Sequence, residues 1–444
     1  MAAPILSRRE LMKLSAAGVV GYSMSGWLEA LANQAADNPQ RRRSCILLWM
    51  NGGPSQMDTF DLKPGHANGG PYREIQTSVP GIRISEHLPK IARNMRDVAI
   101  IRSMSSREGD HSRGAFLMHT GYPKQGPIQY PTFGSLISKE LGRTDNPLPN
   151  FVSIAPYRLL SQAAYAPGFL GPLYAPLLIG DQTPGSGNQP NAYERDLRVQ
   201  DLAPPDGIGG DQLNARINLL QEMRRDFVAR HPGVSAQSHQ TAYDRAVRLT
   251  RTAAATAFNL DEERAALRDA YGRNLFGQGC LLARRLVERH VPFVELALGT
   301  FGGFNWDTHN GNFQSVQRLS GILDPAWGTL MEDLRDRGLL ETTMIVWMGE
   351  FGRTPNINGS QGRDHYPNAW TTVLAGGGIR GGSVFGRTSA DGTAVETTPT
   401  TVPNFLATIC RGLGVDHTTQ NLSNVGRPIR ITDAGSQPIA EIIA

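Results

Sequence analysis

"TMIVWMGEFGRTPNINGSQGRDHYPNAW", residues 343–370, joins an unbroken apolar run to a glycine-, asparagine- and proline-rich stretch holding Glu350, Arg353, Arg363, Asp364 and His365. TMIVWM shows no polar alternation, so it reads as a strand covered on both faces, the pattern of a parallel sheet. Loops leaving the carboxyl ends of such strands are where α/β folds collect their binding groups. Four other runs have the same character: SCILLWM (44–50), DVAIIRS (97–103), PFVELAL (292–298) and TTVLAG (371–376). Helical periodicities lie between them, at 84–95, 275–290 and 313–338, with Pro325 expected to break the last. A closing helix is expected over 402–414, stopping at glycine. Strand alternating with helix predicts an α/β fold, a mostly parallel central sheet with helices on both faces.

The strand ends carry the chemistry. The first exits into Asn51-Gly52-Gly53, then Asp58 and Asp61; the second into Asp110, His111, Ser112 and Arg113. The third leads to Asp307 and His309, the fourth to Glu350, Arg353, Arg363, Asp364 and His365. In a parallel sheet these exits meet at one edge. Carboxylates and imidazoles without cysteine point to a divalent cation such as Zn, Mn, Ca or Mg. The candidate ligands are Asp58, His111, Asp307, His309, Glu350, Asp364 and His365. Arg113, Arg353 and Arg363 would suit an anion, because guanidinium holds phosphate or sulfate through paired hydrogen bonds. Ser112, Arg113 and Arg353 are the candidates for catalysis. Each residue also has a plainer role. Asp58 and Asp110 could cap helices, Asp307, His309, Asp364 and His365 could form turns, and Glu350 could pair with Arg353 or Arg363. His119 falls within a helix-like run and reads as structural or supporting.

The 444 residues have an ordinary globular composition, 40% hydrophobic and 19% charged. A net charge of +4 is too small at this length to argue for nucleic acid. Cys45, Cys280 and Cys410 have no metal-knuckle spacing and read as buried apolar side chains. Near the start, Arg8 and Arg9 precede a mildly apolar stretch, Leu14 to Leu28, and then ALANQA. This resembles a twin-arginine (Tat) signal peptide over residues 1–37, which implies the Tat export machinery as a partner and a periplasmic or cell-surface location. The stretch falls short of the roughly 20 apolar residues a transmembrane anchor needs, and no other stretch reaches that length. The remaining 38–444 read as one domain. A Pro/Gly/Tyr-rich then charged helical segment, at about 155–270, reads as an insertion over one end of the sheet.

LWMNGGPSQMDTFDLKP, GDHSRGAFLMHTGYP, WDTHNGNF, MGEFGRTPNINGSQGRDHYPNAWTTVLAGGGIRGGSVFG and the leader together resemble the DUF1501 family, which is similar in fold to the alkaline phosphatase and sulfatase superfamily. The resemblance implies an alkaline phosphatase-like domain with a bimetal-type site at the strand ends, acting on an anionic small-molecule or glycan ester. The chain departs from the superfamily pattern in three places. Asp307 and His309 are spaced DxH rather than DxxxH, Phe351 rather than histidine follows Glu350, and Gly109 stands where a sulfatase keeps its nucleophile. Ser112, a serine among Ser103 to Ser106, or an activated water remains as the nucleophile. Two functions are therefore expected: an exported metal-dependent hydrolase of phosphate or sulfate esters, or a catalytically degenerate binding or assembly protein on the same fold.

Overall fold

Eight strands form the central sheet among the described residues: β1 (Ser44–Met50), β2 (Val98–Met104), β3 (Phe151–Ile154), β4 (Leu177–Ile179), β5 (Phe293–Leu298), β6 (Thr343–Met348), β7 (Trp370–Gly376) and β8 (Ser383–Phe385). The computed structural model describes residues 43–143, 145–180, 192–199, 202, 207–231, 234–251, 253–299 and 305–444. The expected leader, residues 1–37, lies outside them. The strand order is β8-β2-β7-β6-β1-β5-β3-β4. Only β7 runs against its neighbours, β2 and β6; the other adjacent pairs are parallel. β1, β2, β5 and β6 therefore all end at the same edge.

The sheet is buried on both faces, which is why its strands read as continuous apolar runs. Cys45, Leu47 and Trp49 of β1 face one core with α1 (His111–Thr120), α2 (Phe133–Leu141) and α5 (Val402–Leu413). Ile46, Leu48 and Met50 face the other with α3 (Leu275–Glu288) and α4 (Asn312–Asp336). Each such side chain contributes about 1.5–3 kcal/mol on burial, so a one-residue slip that exchanged the faces would gain nothing. All three cysteines are free and buried.

Three expectations need correction. α4 runs unbroken through Pro325. The carbonyl that loses its helical partner belongs to Gly321, an exposed residue of the helix. Residues 84–95 are not one helix: a short strand, Arg83–Ser85, precedes a helix that starts at Pro89, where the ring fixes the first helical turn. β3, β4 and β8 were not foreseen. β4 lies inside residues 155–270, so that segment adds an edge strand to the sheet as well as the helices Gly210–Arg230 and Val234–Arg251.

Candidate metal centre

Three imidazoles converge on one carboxylate oxygen. Nε2 of His111, His309 and His365 lie 3.2, 3.1 and 3.3 Å from Asp307 Oδ1. Nε2 of His309 and His365 are 3.0 Å apart. The opposite nitrogen of each ring is tied to an acceptor. His111 Nδ1 donates to Glu350 Oε1 at 2.6 Å, His309 Nδ1 to Asp364 Oδ1 at 2.7 Å, and His365 Nδ1 to the Gly109 carbonyl at 2.8 Å. A nitrogen that donates to a carboxylate or carbonyl carries the proton, so the neutral tautomer of every ring turns a lone pair on Nε2 into the centre.

Those lone pairs call for a positive charge. Two bare nitrogens 3.0 Å apart repel unless a proton or cation lies beside them. Neighbouring donors around one ion at roughly 2.0–2.1 Å stand about 3.0–3.4 Å apart, which matches the spacings here. His111 Nε2 and Glu350 Oε2 are also buried without a hydrogen-bond partner among the described residues. The 3.2 Å approach of His111 to Asp307 is thus close but not aligned as a hydrogen bond. His111, Asp307 and His365 form a group able to hold one ion, and His309 reaches the same oxygen.

Local folding brings these groups together. His111 opens α1, whose N-cap Asp110 accepts from the Arg113 amide at 3.0 Å. The opening stretch doubles back as a hairpin in which Gly352 and Arg353 pair with Tyr366 and His365, setting His365 opposite Arg353. Phe351, fully buried, packs 5.0 Å from the His111 ring and 4.8 Å from that of His365. Two glycines allow the loops to meet. A Cβ on Gly52, whose φ is +102°, would lie 2.3 Å from the Asp307 amide nitrogen, and one on Gly362 would lie 1.9 Å from the His309 carbonyl oxygen.

The other expected residues have distinct positions. Glu350 accepts from the Gly52 amide at 2.9 Å and from His111, so its first oxygen orients an imidazole. Asp364, largely exposed, orients His309. Asp58 lies apart from the imidazoles, wholly buried in an ion pair with Arg363 at 2.7 and 3.2 Å and accepting from Asn312 at 2.9 Å. The remaining Arg363 donors go to the carbonyls of Asn68, Thr354 and Pro355. Arg353, also fully buried, donates to Asp307 at 2.6 Å and to the carbonyls of Gly52, Gly53 and Arg363. The expectation that Arg353 and Arg363 face an anion is thus corrected: backbone carbonyls and carboxylates occupy their donors. Arg113 is exposed and pairs with Glu108 at 2.8 Å. Ser112 is partly buried beside His111 in the first turn of α1. The Gly109 carbonyl and Gly52 amide were not foreseen, because main-chain groups leave no mark in the residue type.

Charges at the centre are strongly coupled. Burial raises the Asp307 carboxyl, but the close approach of His111 and His365 and the Arg353 charge outweigh it and hold the group far below the usual range. Burial opposes charge on His111, yet Asp307 and Glu350 overcome it and lift its pKa to about 9. A raised folded value stabilises fully below the ordinary 6.5 and is lost as pH rises through about 9. A metal would have to displace that proton, so its binding would strengthen over the same window. Chelator-treated protein is expected to melt lower at pH 9.5 than at pH 6 while apparent metal affinity rises; parallel trends would contradict this charge assignment.

No curated protein matches the chain significantly. Among solved structures it is similar to the lipoteichoic acid synthase LtaP from Listeria monocytogenes, at 8% identity and a TM-score of 0.41, over 90% of this chain and 77% of that one. It is also similar to the PsFucS1 sulfatase from Pseudoalteromonas sp., at 14% identity and 0.38, over 87% and 70%. A third similarity is to a protein in the alkaline phosphatase superfamily from Vibrio parahaemolyticus, at 10% and 0.36, over 84% and 67%. At these scores the likeness carries no argument about chemistry. The family described as "Protein of unknown function (DUF1501)" matches residues 42–443, and the chain belongs to it.

Proposed function

We propose that this chain is an exported metal-dependent hydrolase of phosphate or sulfate esters. The observation that carries the reading is the set of three Nε2 atoms on Asp307 Oδ1, each ring held by an acceptor at Nδ1. His111, His309, His365 and Asp307 would hold the ion; a mixed imidazole and carboxylate set suits zinc or manganese. Such an ion supplies Lewis acidity toward an ester oxygen. Glu350 and Asp364 hold the His111 and His309 rings through Nδ1 and aim Nε2 at the ion. Arg113, at the exposed rim, supplies charge for an anionic ester, and Ser112 stands at the amino end of α1, where the helix favours negative charge. In the purified parent, metal analysis is expected to find bound divalent ion and an ester panel to find turnover. His365→Ala should lose both, and Glu350→Gln should cost about 10- to 100-fold in metal affinity. Full metal content in both variants would remove the reading.

One observation favours a second reading, a binding or assembly protein. Arg363 occupies Asp58, and two of the three candidate anion-binding arginines are buried in structural bonds. A parent that holds metal but turns over no ester would support it.

Export rests on Arg8, Arg9 and the stretch after them. No helix among the described residues is long and apolar enough to cross a membrane. A reporter fused to residues 1–40 is expected to leave the cytoplasm, and changing both arginines to lysine should retain it there. Unchanged export of that variant would end the localisation proposal.

A further inference from the structure

Below the centre lies a buried histidine–glutamate contact that nothing above uses. His119 sits on α1, two turns beyond His111, and Glu295 sits on β5, the strand that leads toward Asp307. Both are 1% exposed, with Nε2 3.2 Å from Oε1. His119 Nδ1 faces the Ala115 carbonyl at 2.8 Å. The ring packs 4.2 Å from the Trp49 indole. Trp49 in turn donates to Asn51 Oδ1 at 2.7 Å, and Asn51 bonds the Gly299 carbonyl at 3.1 Å and the Trp306 amide at 2.8 Å. Unbroken contact thus runs from His119 to both ends of the segment that delivers Asp307.

The pair is poorly arranged for stability alone. Glu295 Oε2 has no hydrogen-bond partner among the described residues, nor has the Oγ of Ser153, its partner across the β3–β5 register. A carboxyl group buried with one oxygen left without a hydrogen bond is less favourable than apolar side chains of similar volume.

We propose that His119 and Glu295 are a positioning pair that fixes the rotation and depth of α1 against β5 and so sets His111 Nε2 against Asp307 Oδ1. This rests on the metal-centre reading. The test uses cobalt(II), whose visible bands report ligand geometry, in the parent, Glu295→Gln and the double variant His119→Leu, Glu295→Leu. The metal-free double variant is expected to melt at or above the parent temperature yet to bind cobalt about 10- to 100-fold more weakly, with shifted bands. Glu295→Gln keeps the side-chain shape; it should show the same loss to a smaller degree and decides the matter if the double variant does not fold. Parental cobalt affinity and spectrum in either folded variant would overturn the pair's role alone. A parent that binds no cobalt would overturn the metal centre, and the positioning role with it.

Discussion

Asp307→Asn is expected to strip the centre of metal and to lower folding stability by about 3–5 kcal/mol, the usual result of leaving a buried charge, here Arg353, without its partner. A single oxygen, Asp307 Oδ1, meets the Arg353 guanidinium and all three imidazoles. Asparagine keeps the shape but not the charge. Arg353 is fully buried, and its other bonds go to neutral carbonyls, so its charge would lose the carboxylate that pairs with it among the described residues. Chemical denaturation and metal analysis of the same preparation check both halves. A variant with the parental midpoint and full metal content would show that Asp307 neither holds the ion nor balances Arg353.

Arg363→Leu should destabilise by a similar amount but for a different reason. It leaves Asp58 wholly buried with only the Asn312 amide among its side-chain partners. The double variant Asp58→Leu, Arg363→Leu should recover much of the loss, since an apolar pair avoids the desolvation of both charges. Metal affinity of the folded fraction should stay near parental throughout. Metal loss in Arg363→Leu without a fall in stability would instead return Asp58 to the ligand set.

What the residues revealed, and what they hid, follows from how far each signal reaches. β1, β2, β5, β6 and β7 could be read because both faces are covered and the apolar runs are unbroken. β3, β4 and β8 have four, three and three residues, too few to stand out among prolines and glycines. The gathering of His111, Asp307, His309 and His365 could be expected, since parallel strands bring their exits to one edge. The division of labour among charged residues could not. Whether a carboxylate meets a metal, an imidazole or a guanidinium depends on partners far away in the chain. Glu350 and His111 are 239 positions apart, and Asp58 and Arg363 are 305 apart. For the same reason the sequence could not tell an arginine aimed at a ligand from one whose donors end on carbonyls.

The place of β1 in the sheet has a consequence for how the protein is made. The first strand among the described residues lies between β5 and β6, and the turn after it bonds to a side chain 298 positions later. At about 5–20 residues per second, the ribosome leaves that apolar strand without its neighbours for roughly 15–60 seconds. Only when the stretch through His365 has emerged can the three imidazoles meet. On the proposed metal reading an ion can be captured only after that hairpin has emerged, and a nascent chain truncated before it would lack His365 from the centre.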